Sequence, residues 1–165
     1  MVGAGFMSDP KPFLDLLSEF GRQAGLEVVP DESGSAFVEY DDGLFLHFVN
    51  AGDDAFVAFA DTGIELTTLS KEVLADLAEI CLKINFLTTL SSRLSVAATP
   101  EGTMAMTFSG NVSRTDSFEL LKSTENLVDK ARALRDLIRE MVTESTQLSD
   151  VSDPADLLGK MGRFA

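Results

Sequence analysis

His47 and Cys81 are the only histidine and the only cysteine in the 165 residues. A zinc centre needs about four ligands drawn from His, Cys and carboxylate side chains, and one His and one Cys far apart in the chain make no such motif. His47 falls inside a run of alternating apolar residues and reads as a partly exposed strand position. Cys81 falls on the apolar stripe of a helical stretch, where a thiol serves as a small hydrophobe. The paired carboxylates Asp41-Asp42 and Asp53-Asp54 have the chemistry to gather calcium, but both sit in turn-forming strings, where aspartate bonds its own backbone. Asp31-Glu32-Ser33 lacks the ligand spacing of a calcium loop, and Gly3-Ala4-Gly5 precedes a helix rather than following a strand, so it lacks the context of a phosphate loop. Neither an enzyme, a metal site nor a cofactor is expected. What the chain has in excess is apolar surface.

The elements that carry that surface are legible in order. Asp9-Pro10 opens a helix whose Phe13, Leu16, Leu17 and Phe20 draw one stripe, closed at Gly25. Three Phe- and Val-rich runs follow, Ala36 to Tyr40, Leu44 to Val49 and Ala55 to Ala60. Asp41-Asp42-Gly43 and Ala51-Gly52-Asp53-Asp54 separate them as hairpin turns, and Leu26 to Val29 reads as either a further short strand or a lead-in to them. Alternate strand residues point to opposite faces, so Leu44, Leu46 and Phe48 oppose Phe45, His47 and Val49, while Phe56, Ala58 and Ala60 oppose Val57 and Phe59. Both sets are mostly apolar, although an antiparallel sheet usually wets one face; such a sheet needs two covers.

Ser70 caps a second helix carrying Val73, Leu74, Leu77, Ile80, Cys81, Ile84 and Leu87, a stripe broad enough for burial on more than one side. Arg93 to Ala98 and Met104 to Ser109 form a second hairpin around Thr99-Pro100-Glu101-Gly102. Asp116, with Glu119 three residues on, opens the longest helix, which carries Phe118, Leu121, Val128, Ala131, Leu134, Ile138 and Met141. The fold class expected is α+β: a helix, a three-strand antiparallel run, a helix, a two-strand hairpin and a helix, the twisted sheet packing with the helices. Residues 1–8 read as a flexible leader, with Met7 a second candidate start. Residues 9–143 read as one domain, and 144–165 as a flexible tail in which Leu157, Leu158 and Met161 belong to a short amphipathic helix.

The net charge is −14, from 27 acidic and 13 basic side chains, in a chain that is 45% apolar. That apolar content excludes a disordered acidic tail, and a field of this sign repels nucleic acid and anionic lipid surfaces. No apolar run approaches the ~20 residues that span a bilayer, and no cleavable apolar signal is visible, so a cytoplasmic protein is expected. The first 60 residues hold 11 acids against 2 bases, beside the same Phe-rich elements, an arrangement that keeps a sticky surface soluble and favours basic or neutral partners.

The element order and several strings resemble the class I type III secretion chaperones, the Tir-chaperone family. The strings are Leu16-Leu17, Phe20-Gly21, Gly25-Leu26, the stretch from Asp31 to Asp42, and Ile84-Asn85-Phe86, and the resemblance covers about residues 12–142. The Ser- and Asp-rich tail is longer than the family requires. A YbjN-like domain resembles the same layout, including an Asn after the central helix and the hairpin that follows. It stands as the alternative, a regulatory module acting on a folded partner without a secretion role. The family resemblance implies a homodimer packed through central helices or adjoining strands, and a chaperone that binds the N-terminal segment of a secreted effector and keeps it soluble for export. It implies effector contacts at Phe13, Leu17 and Phe20 of the first helix and at Phe37, Phe45, Val57 and Phe59 of the sheet. For the dimer interface it implies Leu74, Leu77, Cys81 and Ile84.

Overall fold

The computed structural model describes residues 10–91 and 93–150. Helix α1 spans Lys11–Ala24. The Pro10 carbonyl accepts the Leu14 N–H at 3.0 Å, and Gly25 ends the helix in the left-handed conformation (φ +67°) that glycine adopts without strain. Leu26 to Val29 is the lead-in and not a strand. Its first residue instead donates its N–H to the Gly21 carbonyl at 2.9 Å, and a Cβ on Gly21 would lie 2.9 Å from the Leu26 carbonyl, so the glycine lets this segment fold back on α1.

Strands β1 (Ala36–Glu39), β2 (Phe45–Gly52), β3 (Ala55–Glu65), β4 (Leu94–Ala98) and β5 (Thr103–Asn111) form one sheet in the order β1-β2-β3-β5-β4, with every neighbour antiparallel. Helix α2 (Lys71–Ser91) lies between β3 and β4 in the chain, and α3 (Ser117–Asp150) follows β5. Both helix starts obey the capping chemistry expected of them. The Ser70 hydroxyl accepts the Val73 N–H at 3.3 Å, and an Asp116 carboxylate oxygen accepts the Glu119 N–H at 2.7 Å.

One face of the sheet is covered. Helix α3 packs on β3 and β5 and against α1, while α2 packs on β4. The core between these layers holds Val38, Leu46, Phe48, Phe56, Ala58 and Met106 from the strands together with Leu17, Leu77, Leu127 and Ile138 from the helices. Among the described residues no helix lies over the other face, so of the two covers that two apolar faces call for one is present.

Helix α3 runs seven residues past Thr143, where a flexible tail was expected. Its Thr143 and Thr146 hydroxyls donate back to the carbonyls of Arg139 and Val142, each at 2.9 Å, which satisfies these polar side chains within the helix. The expected leader 1–8 and the rest of the tail, 151–165 with Leu157, Leu158 and Met161, lie outside the described residues.

Candidate functional site

The uncovered face is built from residues alternating with the core set. Pairing aligns Phe37 with His47 and His47 with Phe59, which makes an aromatic row across three strands. His47 stacks on Phe59 with ring centroids 4.5 Å apart and planes 6° from parallel. Phe37 and Phe45 lie 6.2 and 6.4 Å from the imidazole. One pair along, a second row reads Glu39, Phe45, Asp61, and on the other side of His47 stand Val49 and Val57. Phe37 is 59% exposed, and Phe45, His47, Val57 and Phe59 are half-buried.

Burial among these rings pushes the imidazole below its ordinary value, against the opposite pull of Asp61 and Glu101, so His47 is neutral at pH 7. None of the five strands contains a lysine or arginine, and their only acidic residues are Glu39, Asp61 and Glu65. Among its strand residues the face therefore combines aromatic surface with negative charge alone.

The edges of the sheet differ. In the β1–β2 hairpin the Tyr40 N–H donates to the Leu44 carbonyl at 2.9 Å. Ladder bonds alternate along an antiparallel pair, so Phe37 and Glu39 turn their backbone N–H and C=O outward on β1. A hollow of about 350 Å³ lies beside them, lined by Val29, Pro30, Phe37, His47 and Val49 among others. At the β4 edge, the Asn85 carboxamide of α2 donates to the Val96 carbonyl at 3.1 Å and accepts the Val96 N–H at 2.6 Å. A side chain thus takes the place of a neighbouring strand there.

The structure divides the residues expected from sequence. Phe37, Phe45, Val57 and Phe59 share the uncovered face. Phe13, Leu17 and Phe20 are at most 2% exposed. Phe13 stacks on Phe56 and Phe20 packs edge-on to Phe48, so α1 spends its stripe on the protomer's own core and these three are corrected to core residues. Leu77, expected at a dimer interface, is likewise core, at 2% exposed. Leu74, Cys81 and Ile84 are half-buried. Leu74 and Cys81 line a small apolar hollow with Leu66, Ala97 and Met104, and burial pushes the Cys81 thiol up. Ile84 lines a groove of about 470 Å³ between α2 and α3 with Leu87, Leu94, Met106, Leu134 and Leu137 among others.

The apolar residues that α2 turns to solvent are others. Leu82, Phe86 and Leu87 are 62–71% exposed, and Leu82 and Phe86 stand one turn apart on a single ridge. Sequence reasoning followed the longest stripe on this helix and passed over its back. Two apolar residues at i, i+4 outside that stripe were the available signal. His47, Glu39 and Asp61 of the sheet face were also missed as site residues. They follow from strand alternation once the inner face is known.

Among the described residues no group of three or more His, Cys, Asp or Glu could hold a metal ion, and no helix is long and apolar enough to cross a membrane. The fold and site define an α+β module that presents an aromatic sheet face and, among the described residues, one open strand edge. More specifically, the chain belongs to the Tir chaperone protein (CesT) family, whose model matches residues 15–135. It is similar to the Yersinia pestis type III secretion chaperone SycH, solved in complex with a stable fragment of YscM2. The two share 28% identity over 74% of this chain and 98% of that one, with a TM-score of 0.57. The same fold recurs in the ExsC-ExsE complex, at 18% identity, 78% and 95% coverage and a TM-score of 0.64. It recurs again in the HopA1-SchA chaperone-effector complex, at 13% identity, 77% and 95% coverage and a TM-score of 0.62. A search of curated protein sequences returns no match.

Proposed function

We propose that this chain is a type III secretion chaperone that binds the N-terminal segment of a secreted effector in the cytoplasm and keeps it soluble and competent for export. The observation that carries the reading is the uncovered aromatic face of Phe37, Phe45, His47 and Phe59 on a sheet whose other face holds the core. Family membership and the similarity to SycH support it. An extended segment can add to the outward N–H and C=O groups of Phe37 and Glu39 on β1, where backbone bonds supply affinity, and lay apolar side chains over the adjoining rings. Holding a segment in this way requires no catalytic group.

The second part of the reading is a homodimer. Leu82 and Phe86 stand exposed on the side of α2 opposite its core stripe, and this apolar ridge is a surface on which a second copy can pack, with the half-buried Leu74, Cys81 and Ile84 on the helix's other flank. The direct test is co-expression with the N-terminal segment of a candidate secreted protein from the neighbouring reading frames. The segment should co-purify with the wild-type chain, and Phe45→Asp or Phe59→Asp should release it while circular dichroism stays unchanged. Retention of the segment by both variants would remove the sheet face from the reading.

A further inference from the structure

We propose that Phe45, bracketed by Glu39 and Asp61, is a subsite for a guanidinium, so that the extended segment docked on the sheet face presents an arginine between apolar residues. This rests on the docking reading above and deepens it by naming the chemistry of the partner. The register places the three side chains in one row across β1, β2 and β3, with Glu39 opposite Phe45 and Phe45 opposite Asp61. Neighbouring strands stand about 4.8 Å apart, so the two carboxylates flank the ring at the reach of a planar guanidinium lying over it. A cation in that position gains the ring's quadrupole and a charge-assisted hydrogen bond on either side. An arginine suits the geometry better than a lysine, because its donors fan out in one plane and its cation is weakly hydrated.

The row is prepared for such a guest. The Asp61 carboxylate is held by the Thr103 hydroxyl at 2.8 Å and by the Gly63 N–H at 2.8 Å, and each of its oxygens keeps further lone-pair capacity. Glu39 has no hydrogen-bond or ion-pair partner among the described residues. The strands hold no lysine or arginine of their own, so no cation of the sheet competes for the place. On one side of the row the Phe37–His47–Phe59 rings, with Val57 beyond them, offer apolar surface to the flanking residues of the same segment. The sign of the rim commits the face to a polypeptide carrying positive charge and disfavours nucleic acid and anionic lipid, which it repels.

The test uses the full-length chain and two blocked synthetic peptides of alternating valine and serine that differ at one central position, arginine in one and its neutral isostere citrulline in the other. Calorimetry should find the arginine peptide bound about tenfold more tightly, the size of a cation–π contact plus screened ion pairs. The preference should shrink at high salt and vanish in the Glu39→Gln/Asp61→Asn double variant. Phe45→Leu should reduce it while leaving citrulline binding nearly intact. Equal affinity for the two peptides, with both weakened by Phe59→Asp, would overturn the subsite and leave the docking face standing. If neither peptide binds, or both bind alike to wild type, Phe45→Asp and Phe59→Asp, the subsite and the face fall together.

Discussion

His47 is the chain's only imidazole, so one resonance reports the state of the aromatic row. Burial against Phe59 lowers its proton affinity in the folded state, whereas the unfolded chain has the ordinary value near 6.5. Just below that value the unfolded state binds more protons, and stability falls with falling pH until the folded imidazole titrates as well. NMR titration should place the folded midpoint below 6.5, and His47→Gln should flatten this part of the stability profile. Asp42 acts lower on the scale. Its carboxylate accepts Arg132 Nε at 3.0 Å and Arg135 Nη2 at 2.6 Å, and its carbonyl accepts Arg135 Nη1 at 3.0 Å. These hydrogen bonds lower its pKa from 3.8 to about 2. The stability they confer is complete above about pH 4 and is lost as pH falls toward 2. Asp42→Asn should remove that dependence in chemical denaturation and cost about 2 kcal/mol at pH 7, because Arg135 is buried and loses its counter-charge. Arg135→Lys will not compensate, since one ammonium cannot reach the two Asp42 acceptors as a planar fork does.

At the scale of elements, α2 does two jobs on two sides. Its inward Leu77 seals the β4–β5 end of the core, while its outward Leu82 and Phe86 meet solvent. Leu77→Asp buries an unpaired charge and should unfold the protomer, whereas Phe86→Asp should leave the circular dichroism spectrum unchanged. In the dimer reading, light scattering should then show the Phe86→Asp mass fall from twice the 17.8 kDa chain mass to the chain mass itself. Asn85→Ala strips both bonds from Val96 and should destabilise the protein by about 1–3 kcal/mol, the cost of leaving a part-buried backbone pair unsatisfied. Much of this level was readable beforehand. Turn strings such as Asp41-Asp42-Gly43, caps at Ser70 and Asp116, and the alternation of Leu46 and Phe48 with Phe45 and His47 are local signals, and each element they mark is present. The role of α1 was not readable, because an amphipathic stripe says that Phe13, Leu17 and Phe20 must be covered but not whether the cover is the chain's own sheet or a partner. Helix α3 ran past its expected end for a related reason: a Ser- and Thr-rich string looks like a linker until its hydroxyls find carbonyls one turn back.

At the scale of the whole molecule, a net charge of −14 surrounds a sheet covered on one side only. Mutual repulsion between copies is what keeps such surfaces apart in solution. As pH approaches the isoelectric point near 4.3 that repulsion fades, and light scattering should show self-association there. Phe37→Ser and Phe59→Ser together should suppress it, which assigns the association to the exposed rings rather than to charge loss alone. The apolar character of both strand faces calls for two covers, and the described helices supply one. Which face stays bare depends on how far α1, α2 and α3 can spread, a question of volume that alternation cannot answer.

The Asn85 clamp has a consequence for stoichiometry. With the β4 rim met by a carboxamide and the β1 rim bare among the described residues, each protomer would, in the docking reading, have a valence of one for the first strand it accepts. A two-fold dimer would then be bivalent. A client long enough to reach both rims would make its second attachment at high effective concentration, so its residence time would follow from tether length as much as from the strength of either contact.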